Sequence, residues 1–491
     1  MTVEPQENAP AELDAAAPAE DRPWSTLAVV GIAQMLVMLD STVVNVALPS
    51  IGDSIHASAQ ALQWAISGYV ITYGSLLLFG GRLADVRGRR TMFLLGLAIF
   101  ALASLGAGLA ANGAMLVASR VIQGTGTAVL SAAALSIIIA TYRSSRQMNI
   151  ALTVWSGLGV VGATIGVIAG GAIVEYASWR WVFLINLPIG VVLSLAALRS
   201  VAPMRRELDA PRSPLRLPTA IAVTMSLCLV SYAFIDMQDG VGRLGPWAFL
   251  VLGVVILAAV VRYERHTDDP LLPLFLLRIR TYALACAGMV MAATLLLGSL
   301  YLGSNYFQRA AGLTPLETGL ALLPLCLGSL VAAFGIPKLA QKIGMPKIYL
   351  SGVLVQLISI VVLAVVTWGT SQTVPTVVVI AMLGIYGLGL PTMFVPLYTF
   401  GAAEIPERHS GTGSGLLNTF NESGAGLGLA IVAPIAAYIA TRQRSTGTAQ
   451  SVAEAHGIAA AWIALCVCSL VAALIAIMIV RAFRATHTAG R

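Results

Sequence analysis

Gly81-Arg82-Leu83-Ala84-Asp85-Val86-Arg87-Gly88 separates one pair of apolar runs, and Pro337-Lys338-Leu339-Ala340-Gln341-Lys342-Ile343-Gly344 separates another pair eight runs further on. The second octapeptide reads as a decayed copy of the first. Each is short and polar, and each lies between stretches of roughly 20 apolar residues, the length that crosses a bilayer core. An internal repeat of this kind points to two bundles related as parallel repeats, the architecture of a rocking transporter.

Working outward, apolar runs fall near 25–48, 60–81, 91–111, 114–140, 150–174, 181–198, 217–236, 246–263, 281–308, 316–336, 348–368, 374–398, 411–440 and 458–481. Backbone groups in lipid must be paired within the segment, so these runs are predicted to be helices. The period-two alternation of a membrane barrel is absent. The expected fold is an all-α polytopic membrane protein of fourteen spans. Residues 1–24, rich in Ala, Pro and Glu and lacking a basic leader, read as a disordered cytoplasmic tail. A six-helix bundle is expected over 25–198, a cytoplasmic linker over 199–216, and an inserted hairpin of spans 7 and 8 over 217–263. A second linker follows over 264–280, then a second six-helix bundle over 281–481 and a cytoplasmic tail over 482–491.

Composition agrees. The chain has 491 residues, a mean hydropathy of +0.85 and 10% charged residues, far below the roughly 25% of soluble domains. Its net charge of +7 points to loops rather than nucleic acid. With the N-terminus inside, 23 basic residues fall in inside segments and only Arg180, Arg243, Arg309, Arg442 and Arg444 outside; Arg120 lies within a span. That asymmetry predicts both termini in the cytoplasm of a multi-pass plasma-membrane protein. Only three of the basic residues are Lys; with heavy Ala, Val and Gly, that bias suits a GC-rich bacterial genome. The five cysteines, Cys228, Cys286, Cys326, Cys466 and Cys468, all sit in apolar runs, and no metal-ligand spacing is present.

Four motifs, in order, carry a family resemblance. Gly81-Arg82-Leu83-Ala84-Asp85-Val86-Arg87-Gly88-Arg89-Arg90 resembles the cytoplasmic-loop signature of the major facilitator superfamily. Leu39-Asp40-Ser41-Thr42-Val43-Val44-Asn45-Val46-Ala47-Leu48-Pro49 resembles the first span of its fourteen-span drug:proton antiporters, the EmrB/QacA-like branch. Arg120-Val121-Ile122-Gln123-Gly124-Thr125-Gly126 and Ser178-Trp179-Arg180-Trp181-Val182-Phe183-Leu184-Ile185-Asn186-Leu187-Pro188-Ile189-Gly190 resemble the same branch. The resemblance covers about residues 25–481. One motif departs: Val167 stands where the branch's span 5 carries proline. The proline would kink the helix; Gly162, Gly166, Gly170 and Gly171 remain to let a neighbour pack closely. The resemblance implies export of lipophilic or cationic compounds such as antibiotics, by proton antiport with alternating access and no cofactor beyond the proton gradient. Rival readings on the same fold are a lipid or self-made-antibiotic exporter or flippase, and a metabolite uptake symporter. A monomer is the default.

Ionisable groups inside spans are expensive and mark function. Asp40 in span 1 is read as a carboxylate that cycles between protonated and charged forms or pairs with a cationic substrate. It is alternatively a hydrogen-bond acceptor for Ser41, Thr42 or a neighbouring helix. Glu422 in span 13 is a second such carboxylate in the opposite bundle, or a glutamate capped by nearby Asn and Ser. Arg120, by resemblance, supports proton transfer near Asp40; otherwise it is a strut on backbone carbonyls. Candidates for polar cavity groups are Gln34, Asn45, Gln123, Gln356 and Asn418. Trp64, Tyr69, Tyr301, Tyr306, Tyr386 and Phe394 are candidates for ligand contact. The 81–90 loop, with Gly81, Arg82, Asp85, Arg87, Gly88, Arg89 and Arg90, is read as a latch. Glu175 and Arg180 are expected to form a boundary ion pair.

Other motifs fail. Gly157-Leu158-Gly159-Val160-Val161-Gly162 spells a dinucleotide fingerprint, but it lies within a span and follows no strand. No Lys precedes Ser or Thr, which removes a Walker loop and points away from ATP hydrolysis. No nucleophile–base pair stands out, so no enzymatic activity is expected.

Overall fold

The computed structural model describes residues 23–142, 145–201, 203, 215–237, 244–267, 270–369, 376–403, 405 and 410–489. Among them there is no strand, and fourteen helices are long and apolar enough to cross a membrane. The first six are α1 (Pro23–Ile55), α2 (Ala59–Arg87), α3 (Arg89–Gly108), α4 (Gly113–Thr141), α5 (Ser145–Tyr176) and α6, which runs Trp181–Leu184 and resumes at Asn186–Ser200. The hairpin is α7 (Leu217–Asp236) and α8 (Leu244–Glu264). The last six are α9 (Arg280–Asn305), α10 (Pro315–Ile343), α11 (Met345–Trp368), α12 (Thr376–Ala403), α13 (Ser410–Ser445) and α14 (Gln450–Ala489).

Local chemistry sets several helix starts. Ser58 Oγ accepts from Ala61 N before α2, and Asn112 Oδ1 accepts from Met115 N before α4. Thr314 and Glu317 form a reciprocal capping box on α10, satisfying two of the amide groups a helix start leaves open. Between α2 and α3 the chain turns on Gly88 alone, at φ 96°, and between α10 and α11 on Gly344 alone, at φ 81°. A side chain at either position would be strained. In both turns the glycine N–H donates four residues back, to Ala84 O and Ala340 O.

The packing repeats. α1 lies on α5, α2 and α3 on α4, and α3 and α1 on α6. Eight helices later α9 lies on α13, α10 and α11 on α12, and α11 and α9 on α14. The molecule is two six-helix bundles plus a hairpin, whose α7 rests on α2 and α13. Across the seam, α2 packs on α13 and α5 on α10.

The helices outrun the apolar runs in places. Trp24 is helical rather than part of the tail, and α14 continues to Ala489. The rest of the expected tail, residues 1–22, and most of the 199–216 linker lie outside the described residues. The 264–280 linker holds a short 3-10 turn, Leu274–Arg278, anchored by buried Glu264, whose carboxylate accepts from Leu272 N and Thr219 Oγ1. α1 passes through Pro49 to Ile55, beyond the run that ended at 48. Proline deprives the carbonyl four residues earlier of its helical donor. Here that carbonyl, Asn45 O, accepts from Ser304 Oγ of α9 at 2.8 Å. A neighbouring hydroxyl thus supplies the missing bond, the usual condition for proline inside a spanning helix.

Candidate functional site

α1 carries Asp40 at mid-span, α4 carries Arg120 and Gln123 one turn apart, α3 brings Ser104, and the break in α6 at Ile185 brings Asn186. These five side chains meet. Arg120 Nη1 lies 2.6 Å from Asp40 Oδ2 and 2.7 Å from Gln123 Oε1. Arg120 Nε donates to Ala65 O at 3.0 Å. Asp40 Oδ1 accepts from Gln123 Nε2 at 2.9 Å and from Asn186 Nδ2 at 2.8 Å. Both amides also donate to Ser104 Oγ, at 2.6 and 3.0 Å. The guanidinium sits 4.0 Å from the Tyr69 ring centre and 5.8 Å from that of Phe183, positions in which the ring faces stabilise a cation.

Every member is buried: Asp40, Ser104, Gln123 and Asn186 at 0% exposure and Arg120 at 1%. A buried ion pair survives only when its remaining donors and acceptors are satisfied, and here the amides and the Ala65 carbonyl do this. Arg120 therefore both pairs with Asp40 and braces a backbone carbonyl. Asp40 draws its partners from α4 and α6 rather than from Ser41 or Thr42. Asn186 and Ser104 are absent from the residues singled out by sequence. Asn186 carried a signal, as an amide inside an apolar run and within the Trp-Arg-Trp motif; a serine in a span carries none.

Glu422 stands apart from this cluster. Its Oε1 accepts from Asn421 Nδ2 at 3.0 Å, and its backbone presses on α2 at the seam between bundles. A Cβ on Gly74 would fall 2.7 Å from Glu422 Cβ. Nearby, Asn418 Oδ1 accepts from Tyr398 OH.

The remaining candidates scatter. Tyr69 is buried beneath Arg120, with Ser41 and Thr127 at its hydroxyl. Gln34 and Asn45 are buried on α1, where Asn45 Nδ2 donates to Ser41 O. Trp64 and the hairpin's Tyr232 have ring centres 6.4 Å apart. Tyr386 is packed against Trp462 and donates to Leu295 O. Gln356 is fully buried against Gly389. Tyr306 is buried in the core of the second bundle, and Tyr301 and Phe394 pack at its edge.

The α5 glycines serve two neighbours. A Cβ on Gly162 would fall 2.2 Å from Met35 O, on Gly166 2.3 Å from Thr42 Oγ1, and on Gly170 2.6 Å from Val43 Cγ2, all on α1. A Cβ on Gly171 would fall 2.4 Å from Pro315 O of α10. Val167 is buried at this same seam, its carbonyl 2.6 Å from where a Cβ on Gly319 would lie.

In the 81–90 loop, Arg82 Nη2 donates to Pro270 O at 2.8 Å and Arg90 Nη2 to Leu198 O at 2.7 Å. Arg89 Nε lies 3.8 Å from Asp85. The loop is thereby tied to the 264–280 linker and to the end of α6. Glu175 and Arg180 do not pair. Arg180 Nη1 caps the end of α3 through Gly108 O and Ala110 O. Glu175 instead accepts from Leu316 N, at the start of α10, at 3.0 Å. The open amides at the start of α10 attract the carboxylate more effectively than a guanidinium already engaged by carbonyls.

Twin six-helix bundles, a buried charge cluster in one of them and a glycine-lined seam between them are the architecture of a membrane transporter. The family model of the Major Facilitator Superfamily matches residues 30–429, and the chain belongs to that superfamily. It is 33% identical over 443 residues to a puromycin resistance protein of Streptomyces alboniger, covering 88% of this chain and 86% of that one. It is 31% identical over 421 residues to the tetracenomycin C resistance and export protein of Streptomyces glaucescens, covering 84% and 75%. In fold it resembles a bacterial homolog of the human lysosomal transporter Spinster, solved inward-facing and unoccupied. The TM-score is 0.66 at 16% identity, over 94% of this chain and 98% of that one.

Proposed function

We propose that this protein is a secondary active exporter of small lipophilic or cationic organic compounds, driven by inward proton flow. Export is supported by its relatives, which are named for antibiotic resistance and export. The observation that carries the coupling is the buried Asp40 carboxylate, held by Arg120, Gln123 and Asn186. The protein acts as a monomer in the plasma membrane with both termini cytoplasmic, which puts the Gly88 and Gly344 turns inside and the Tyr176–Pro315 end of the seam outside.

Loaded from the cytoplasm, the bundles rock and open the seam outward. A proton entering from outside neutralises Asp40. Arg120 then keeps its bonds to Ala65 O and Gln123 but loses its counter-charge. An uncompensated cation in a dry interior is costly, so protonation disfavours the closed cluster and drives the next rearrangement. Each charge carried through 100 mV supplies about 2.3 kcal/mol, enough that few protons sustain accumulation outside. The test is ΔpH-driven transport of puromycin and cationic dyes in proteoliposomes. Asp40→Asn is expected to abolish the response to ΔpH while leaving substrate binding in place. Unchanged ΔpH-driven transport would overturn the assignment.

A further inference from the structure

We propose that the cleft between α10, α11 and α12 binds one anionic phospholipid, with its phosphate between Lys338 and Lys342. α10 and α11 are joined by Gly344 alone and both pack along α12, yet they touch each other little. A cleft of about 420 Å³ results, with Leu388 and Thr392 of α12 among the residues that line it. Gly335 helps to line it, and nothing lies within 4 Å of where its Cβ would be. Ser351 Oγ and Thr392 Oγ1 turn back onto their own helices, bonding Ile348 O and Gly389 O, so the walls offer mainly hydrocarbon. Exposed Val331, Phe334 and Leu354 on the same two helices suit a cleft bordered by lipid tails.

Lys338 and Lys342 belong to the same lining, one helical turn apart and within the last six residues of α10. Both are exposed, and no carboxylate among the described residues pairs with either. The first bundle shows the contrast. Its turn has the same left-handed glycine and the same amide bond, but there Arg82 and Arg90 are spent on protein carbonyls and Arg89 on Asp85. In the second bundle Gln341 replaces the acid at Asp85, and Lys342 replaces Val86. The turn has thus lost its internal anion, and with Ile343 in place of Arg87 its second cation has moved to position 342, in the lining of the cleft. The chain's only three lysines, Lys338, Lys342 and Lys347, all flank this turn. Lysine is a compact point charge on a long stem, able to reach headgroup level and bind phosphate there. α11 begins beside them with no side-chain cap and no acidic residue in its first turn, so its dipole adds to the attraction for an anion. An apolar cleft ending in two cations fits a glycerophospholipid; a free phosphate would leave the apolar part empty.

Native mass spectrometry of the purified transporter, titrated with phosphatidylglycerol or phosphatidylcholine, tests this. Two lysines at the surface, each worth about a factor of five, set an expected preference of about twenty-five-fold for phosphatidylglycerol. Lys338→Gln with Lys342→Gln is expected to remove that preference, and Lys347→Gln, outside the cleft, to keep most of it. Gly335→Leu, which fills the cleft and leaves the charges, is expected to reduce binding of both lipids. Equal binding of the two lipids by the unaltered protein would overturn the proposal. So would undiminished preference in a folded double variant, or binding of inorganic phosphate as tight as that of the lipid. The readout is independent of transport, so the export reading stands or falls separately.

Discussion

Asn186 completes the charge cluster by holding Asp40 Oδ1 from the start of the second segment of α6. Asn186→Leu leaves that oxygen with Gln123 alone, in a site with no water-exposed face. Losing one bond to a buried charge costs about 1–3 kcal/mol, which is expected as a lower unfolding midpoint in detergent. A positioning role predicts more: the pH profile of transport should shift as well, whereas loss of packing alone would lower activity without moving the profile. The cluster was half legible from sequence. Asp40 and Arg120 announce themselves because ionisable groups are rare inside apolar runs. Ser104 does not, because its role depends on two amides arriving from α4 and α6. The Glu175–Arg180 expectation failed for a related reason: proximity along the chain says nothing about the open helix start that α10 brings to Glu175.

At the scale of the helix, α5 shows how one element serves two partners, and its one departure from the family motif has a measurable meaning. Thr42 Oγ1 already donates to Ala163 O at 3.1 Å, the carbonyl that the amide of Val167 serves four residues on. A proline at 167 would remove the helical donor and leave the hydroxyl. Val167→Pro is therefore expected to cost well under the roughly 3 kcal/mol of an interior proline, while Val174→Pro, as control, bears the full penalty; thermal unfolding of both variants checks this. The same arrangement, Ser304 on Asn45 O, carries α1 through Pro49. Hydropathy located all fourteen spans because lipid demands length and apolarity. It did not reveal the extension of α1 or the break in α6, which depend on hydrogen bonds supplied by other helices.

For the whole molecule, the eight-helix recurrence of packing explains why a weak repeat around two glycine turns was a sound guide to architecture. The bundles meet through polar contacts at the Tyr176–Pro315 end of the seam. Ser304 reaches Asn45 O, Gln308 Nε2 reaches Val46 O at 3.0 Å, and Glu175 accepts from Leu316 N. Ser304→Ala with Gln308→Ala removes two of these at about 1 kcal/mol each. A cysteine placed at the fully buried Thr318 is then expected to react with membrane-impermeant maleimide at least about five-fold faster than in the Thr318→Cys protein alone; an equal rate would show that these bonds do not hold the seam. Such a seam behaves unlike an apolar one. When it parts, water can take up each released carbonyl and amide in turn, so little of the bonding is forfeited. This end of the seam is in effect a wettable closure, one whose closed and parted forms lie close together in free energy.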